Sequence, residues 1–185
     1  MVFGGSPNEP WFIWLKEALE LHGFIVVVPK LSNTFKPKIY DWIKSINNAV
    51  LELNEDTYFV GHSLGCLAIA RYLEGLSAGV KIGGVVFVAG FIKRLLEIQN
   101  KDIDVVKEWI ESPLDLAQVK THFKKSVAIF SDNDPYVALE ENVEFKNKID
   151  SQIIIEHNKG HFTLEDGVTN LPVVLDAILM LVNKK

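Results

Sequence analysis

The chain is poor in cysteine, since Cys66 is the only thiol among its 185 residues. A single thiol cannot form an internal disulfide and is typical of a reducing compartment, so we expect a cytoplasmic protein. No apolar run is long enough to span a bilayer, and we expect no signal peptide. Neither sign of charge dominates, and the formal net charge of −5 at pH 7 argues against nucleic acid or an anionic membrane as partner.

Internal repeats, low-complexity runs and linkers are also missing from the sequence, and its length suits a single domain over residues 1–185. Short apolar runs alternate with segments of helical periodicity. Because the apolar runs lack period-two alternation, we expect strands covered on both faces, hence a mostly or wholly parallel sheet in a three-layer α/β/α sandwich. The predicted strands are 24–28, 57–60, 85–88, 127–130 and 153–155. The predicted helices are 10–22, 39–53, 64–75, 139–149 and 171–182, and residues 92–122 are predicted to be helical but irregular.

Gly61-His62-Ser63-Leu64-Gly65 joins one predicted strand to the helix that follows it. A strand, a G-x-S-x-G sequence and a helix in this order indicate a nucleophile elbow, a sharp turn that presents a serine hydroxyl. Such a turn brings its flanking positions close to neighbouring backbone, where glycine avoids a clash. A helix that begins at Leu64 would direct free N–H groups at a developing oxyanion. Ser63 is therefore the predicted nucleophile, and the Leu64 N–H is a predicted oxyanion donor.

A serine hydroxyl needs a base to take its proton, and the chain offers five histidines. His161 lies in a loop directly beyond the last predicted strand, where this architecture places its base. His157, at the end of that strand, is the alternative, although a surface histidine is its simpler interpretation. The other three are expected to have no part in the chemistry: His22 at a helix end, His62 turned away from the serine, and His122 solvated in a lysine-rich stretch.

The orienting acid is expected between the serine and the histidine in chain order. Asp134 follows the strand 127–130 by a few residues and could reach across to the histidine loop, with Pro135 fixing the turn behind it. Asp132 is the alternative, and an Asx turn or a helix cap is the simpler interpretation of either residue. In a parallel sheet, sites form at the carboxyl ends of the strands, where Ser63, Asp134 and His161 all fall.

With these residues assembled, the sequence resembles the family of small α/β-hydrolases grouped with retinoblastoma-binding protein 9 and the bacterial protein YdeN. The resemblance covers nearly all of the chain and implies a serine hydrolase with an α/β-hydrolase fold, no large cap domain, and a triad at Ser63, Asp134 and His161. The motifs that carry it are Gly4-Gly5-Ser6-Pro7, Trp11-Phe12-Ile13-Trp14-Leu15, the elbow, Val88-Ala89-Gly90-Phe91, Ser131-Asp132-Asn133-Asp134, Gly160-His161-Phe162 and Asn170-Leu171-Pro172.

One part of the family pattern is missing. Family members open with an apolar strand that ends in His-Gly before the glycine-rich loop, whereas Met1 and Val2 stand at those two positions here. The resemblance implies that this strand is central in the sheet. Either the strand precedes residue 1 in a longer chain, which we favour, or the sheet closes the gap or borrows a strand from another copy. The resemblance also implies a second oxyanion donor in this loop, the backbone N–H near Phe3.

Together these features predict hydrolysis of a small ester, thioester or amide through an acyl-enzyme on Ser63, with His161 as base and Asp134 as orienting acid. The partner is then a small-molecule acyl substrate. The alternative is a protein-interaction module that keeps the hydrolase scaffold with little or no activity. An unfilled strand position would favour a homo-oligomer or a protein partner.

No cofactor and no metal are expected. His157 and His161 have the spacing of a helical zinc pair, but Gly160 and the preceding strand argue against a helix there. Cys66 lies inside the helix after the elbow, which argues against a catalytic thiol. Residues 91–122 are either a partial lid over the cleft or an ordinary connector that covers the sheet.

Overall fold

The computed structural model describes residues 5–93, 95–96 and 100–183. A parallel four-stranded sheet lies at the centre of these residues, in the order β1 (Tyr58–His62), β2 (Gly84–Val88), β3 (Ser126–Ser131) and β4 (Gln152–Glu156). The helices are α1 (Pro10–Leu21), α2 (Ile39–Ala49), α3 (Leu64–Glu74), α4 (Asn100–Glu111), α5 (Leu116–Lys120), α6 (Glu141–Ile149) and α7 (Pro172–Asn183). None of the described helices is both long and apolar enough to cross a membrane.

Both faces of the sheet are covered, as the unbroken apolar runs predicted. Every residue of β2 and β3 is buried. Along β2, Val86 and Val88 pack into a core shared with α1 and α7, whereas Val85 and Phe87 pack into a second core shared with α2 to α6. Because successive side chains of a strand point to opposite faces, a strand between two helical layers is apolar at every position. The three-layer α/β/α architecture is therefore confirmed.

The predicted strand at 24–28 is wrong. The structure assigns no strand to these residues, and Ile25 and Val27 are 85% and 49% exposed. A strand forms only where a partner completes its backbone hydrogen bonds. Here the segment 23–29 and the outer strand β1 line a common cavity of about 640 Å³, and no backbone hydrogen bond between 25–28 and β1 occurs among the described residues. β-propensity alone, without a ladder partner, leaves these residues irregular.

This cavity is apolar on the faces contributed by the helices around it. Its walls include Trp11 and Leu15 of α1, Ala68 and Ile69 of α3, and Ile178 of α7. The single-domain boundary 1–185 stays a prediction. Residues 1–4, which include the predicted oxyanion donor Phe3, lie outside the described residues.

The later part of the 91–122 segment forms a fixed wall against α3. The buried Arg71 guanidinium donates to the carbonyl oxygens of Trp109, Ser112 and Pro113 at 2.7–3.0 Å, and burial lowers its pKa. The Trp109 carbonyl lies in the last turn of α4, where a carbonyl has no partner within its own helix, so Arg71 satisfies it. The Trp109 indole is buried and donates to the Pro37 carbonyl at 3.0 Å. These contacts favour the connector interpretation for the residues from Trp109 onwards.

Candidate active site

Ser63 is the single residue between β1 and α3. Its backbone has φ 53° and ψ −125°, a region that side-chain-bearing residues rarely adopt. The Ser63 N–H donates to the Val88 carbonyl at 2.9 Å, and its carbonyl accepts from the Cys66 N–H at 2.9 Å. A Cβ atom at Gly61 would lie 2.9 Å from the Cys66 Cα, so only glycine fits there. The strained elbow predicted from the sequence is therefore present, and hydrogen bonds to β2 and to the first turn of α3 hold it.

The first turn of α3 follows the serine directly. The helix begins at Leu64, and the N–H groups of a first turn have no acceptor within their own helix. They carry the positive end of the helix dipole, so this end of α3 favours a negative charge beside Ser63. The second predicted donor, Phe3, is outside the described residues.

Asp134 and His161 meet at the carboxyl side of the sheet. Their Oδ2 and Nδ1 atoms are 2.8 Å apart, and the two side chains are only 2% and 3% exposed. The other carboxylate oxygen accepts the N–H groups of Tyr136 and Val137 at 2.8 and 3.0 Å. A carboxylate can only accept, so the imidazole proton sits on Nδ1 and leaves a lone pair on Nε2. In this tautomer His161 can take a proton from a hydroxyl.

The elbow touches the histidine loop through His62, the residue before Ser63. The His62 Nε2 lies 2.8 Å from the His161 carbonyl oxygen, and the two ring centroids are 5.1 Å apart. Burial lowers the pKa of His62 well below its usual value, and charge on His161 lowers it further. A neutral His62 that donates through Nε2 therefore links the serine to the base. No sequence signal could have shown this contact, because its partners are 99 positions apart.

The Ser63 hydroxyl makes no hydrogen bond to the His161 ring within the part of the chain that the structure describes. Catalytic hydrogen bonds of this type are often long and tighten only when a substrate binds. The two residues are neighbours through His62, and both are buried. The arrangement brings the three predicted site residues to one end of the sheet.

The two alternative candidates, Asp132 and His157, pair with each other. The His157 Nδ1 lies 2.6 Å from an Asp132 oxygen, and the side chains are 79% and 35% exposed. The second Asp132 oxygen accepts the Asn158 N–H at 2.9 Å. The Asn158 and His157 hydrogen bonds lower the pKa of Asp132, and the Asp132 hydrogen bond raises the pKa of His157. This pair is a surface ion pair, separate from the buried pair of Asp134 and His161.

This surface pair makes a predictable contribution to the pH dependence of stability. The raised pKa of His157 gives stabilisation that is lost as the pH rises through its folded pKa. The lowered pKa of Asp132 gives stabilisation that is lost as the pH falls through its folded pKa. The pair therefore acts fully between the unfolded values of about 4 and about 6.5. Urea unfolding should show Asp132→Asn losing the most stability in this range and less at alkaline pH, where the His157 contribution is gone and the Asn158 bond to the carboxylate remains; equal losses at every pH would contradict the prediction.

The expectation of a solvated His122 is wrong. Its side chain is fully buried despite the neighbouring lysines, and its Nδ1 lies 2.9 Å from the Val80 carbonyl oxygen. The Gln118 amide nitrogen lies 3.4 Å from its Nε2. Both ring nitrogens therefore have partners inside the protein, which makes burial of this histidine favourable. His22, in contrast, caps the end of α1 as predicted.

Cys66 is a poor alternative to the serine. Burial raises the pKa of Cys66 to about 12, so its thiol stays protonated near neutral pH and is not a nucleophile. In the described ranges, no three His, Cys, Asp or Glu side chains are grouped so that they could hold a metal ion. His157 and His161 bind different carboxylates.

Comparison with known proteins identifies relatives along the whole chain. Residues 2–179 match the family described as serine hydrolase. The protein YdeN of Bacillus subtilis is 31% identical over 183 residues, which cover 99% of this chain and 94% of YdeN. The serine hydrolase RBBP9 of Rattus norvegicus is 20% identical over 160 residues, which cover 86% of this chain and 81% of RBBP9.

Solved structures show the same fold. The crystal structure of the B. subtilis ydeN gene product superposes with a TM-score of 0.90 at 30% identity and covers 99% of this chain and 96% of that one. Est1E from Butyrivibrio proteoclasticus superposes with a TM-score of 0.66 at 15% identity; the match covers 98% of this chain and 86% of Est1E and supports the fold alone. The resemblance seen in the sequence is thereby confirmed. The chain belongs to the serine hydrolase family and is an enzyme with an α/β-hydrolase fold.

Proposed function

We propose that this protein hydrolyses a small ester, thioester or amide through an acyl-enzyme intermediate on Ser63. One observation carries the proposal: Asp134 and His161 form a buried hydrogen bond, and the loop that holds His161 contacts the serine elbow through His62. Burial of a carboxylate is unfavourable unless hydrogen bonds compensate it, and here three N–H groups do so. Maintaining such a pair beside a strained serine has a chemical use, because it activates the hydroxyl.

Acylation begins with the lone pair on Nε2 of His161. This nitrogen takes the Ser63 hydroxyl proton while the serine oxygen attacks the carbonyl carbon of the substrate. Asp134 holds the Nδ1–H tautomer and stabilises the imidazolium that forms. As the tetrahedral intermediate collapses, His161 returns the proton to the leaving group, and the acyl group remains on Ser63.

The negative charge of the intermediate falls at the start of α3. The Leu64 N–H and the helix dipole stabilise the oxyanion there. A donor of this kind contributes about 10²–10³-fold to kcat.

Deacylation repeats the same chemistry with water. His161 takes a proton from a water molecule whose oxygen attacks the acyl carbon. The proton then passes to the Ser63 oxygen as the acid product leaves. No step requires a cofactor. The free, buried thiol of Cys66 is consistent with a cytoplasmic location for this activity.

A fluorophosphonate probe, which reacts with activated serines, tests the proposal. The unmodified protein is expected to become labelled, and Ser63→Ala is expected to abolish labelling without unfolding the protein. Ser45→Ala is the matched control, because Ser45 is half-buried on α2 and its hydroxyl donates to the Asp41 carbonyl at 2.7 Å. It should label like the unmodified protein.

Two results would count against the enzyme. Labelling that persists in Ser63→Ala would show that another residue is the nucleophile. A folded protein that takes up no probe would defeat the proposal and favour the protein-interaction module on a hydrolase scaffold.

A further inference from the structure

Residues adjacent to the acid bind the residues adjacent to the base. The Asn133 side-chain oxygen accepts the Gly160 N–H at 2.8 Å and the Ser131 hydroxyl at 2.8 Å. The Ser131 hydroxyl oxygen in turn accepts the Lys159 N–H at 3.0 Å. Asn133 precedes Asp134 and Gly160 precedes His161, so this contact runs directly beside the Asp134–His161 bond.

The orientation of the Asn133 amide follows from its partners. A backbone N–H can only donate, so the atom that faces Gly160 must be the amide oxygen. With that acceptor fixed, the Ser131 hydroxyl donates to the same oxygen and is free to accept from Lys159. The three hydrogen bonds therefore form one chain with consistent donors and acceptors, and such chains reinforce one another in a partly buried setting.

These side chains act where the sheet has ended. The last ladder pair of β3 and β4 is Ser131 with Glu156, and the histidine loop continues beyond it without a strand partner. Past that pair, the side chains of Asp132, Ser131 and Asn133 accept the N–H groups of Asn158, Lys159 and Gly160 in turn, and they hold the loop in place of a ladder. The next residue is His161, whose ring must reach both the Asp134 carboxylate and the serine.

We propose that Asn133 is a positioning residue that sets the placement of the His161 ring. The inference rests on the proposed function, because it assigns a role in that same site. Two other contacts hold the backbone of His161: the Asp166 carboxylate accepts its N–H at 2.9 Å, and His62 binds its carbonyl oxygen at 2.8 Å. Within the described residues, only the Asn133 side chain hydrogen-bonds Gly160, the residue directly before the base.

Three variants test this role. Asn133→Ala removes the acceptor, whereas Asn133→Asp keeps an acceptor for both donors. Asn54→Ala is the matched control, because Asn54 makes the same kinds of contact as Asn133. Its side-chain oxygen accepts the Asp56 N–H at 2.8 Å and lies 3.4 Å from the Thr57 hydroxyl. It does so before β1, at the opposite end of the strands from the site. Similar losses of stability are therefore expected from the two alanine variants.

The first measurement is steady-state hydrolysis of p-nitrophenyl acetate. A misplacement near 1 Å costs up to about 10²-fold in rate, so Asn133→Ala should lower kcat by about ten- to 10²-fold with little change in KM. Asn133→Asp should restore most of kcat, and Asn54→Ala should keep it. Equal kcat values for the two alanine variants, or no rescue by aspartate, would overturn the proposal.

The second measurement does not depend on activity. The proton NMR signal of the His161 Nδ1–H should be lost to solvent exchange in Asn133→Ala and retained in Asn54→Ala. A retained signal in Asn133→Ala would overturn the positioning role even if hydrolysis is observed. A third outcome separates the two proposals. If the unmodified protein hydrolyses nothing, and the signal is present in it but lost in Asn133→Ala, the positioning role stands and the proposed function fails.

Discussion

Asp134→Asn is expected to lower kcat by about 10⁴-fold while the protein stays folded. The structure explains why the substituted amide cannot rotate to a harmless orientation. One Asp134 oxygen accepts the N–H groups of Tyr136 and Val137, so the amide oxygen of asparagine must keep that place. Its NH₂ group then faces Nδ1 of His161, which has to give up its proton there and carry it on Nε2. The lone pair no longer points to Ser63.

The matched control is Asp132→Asn, the same substitution two residues earlier in the chain. Its partner is the exposed His157, so kcat near neutral pH should stay close to that of the unmodified protein. Hydrolysis of a p-nitrophenyl ester measures both variants, and nitrogen chemical shifts of the His161 ring report the tautomer. A large loss of kcat in Asp132→Asn together with an active Asp134→Asn would show that Asp132, and not Asp134, is the orienting acid.

The elbow could be predicted because all of its determinants are local. A strand-forming run, two glycines around Ser63 and a helix-forming run lie within one short stretch, and the structure places β1, Ser63 and α3 there with no intervening residue. The preference for Asp134 over Asp132 also came from local spacing. It agrees with the buried Asp134–His161 pair, whose catalytic role stays a prediction.

Non-local contacts explain what the sequence could not show. The apolar segment 24–28 has the composition of a strand, but a strand is decided by its partner, and here a cavity lies beside it. His122 stands among lysines, yet the Val80 carbonyl, distant in sequence, gives it a buried partner. The roles of His62 and Asn133 are likewise defined by what the histidine loop places against them.

Gly160→Ala is expected to damage both stability and catalysis. Gly160 has φ +53°, and a Cβ there would lie 2.1 Å from the nearer oxygen of the Asp166 carboxylate. That carboxylate cannot move without loss, because it accepts the N–H groups of His161 and Thr163 and the Thr163 hydroxyl at 2.7–3.0 Å. Left-handed strain costs about 1–2 kcal/mol in the free energy of unfolding. Overpacking adds about 1–3 kcal/mol.

The catalytic loss follows from the same displacement. His161 loses an acceptor on its backbone, so its ring shifts relative to Asp134, and kcat should fall by about 10²-fold. Gly79→Ala separates strain from displacement, since Gly79 has φ +88° and nothing lies within 4 Å of an added Cβ. That variant should lose stability through strain alone and keep its kcat. Urea unfolding and ester hydrolysis on both variants measure the difference. If Gly160→Ala behaves like Gly79→Ala in both assays, the Asp166 carboxylate does not hold the base in place.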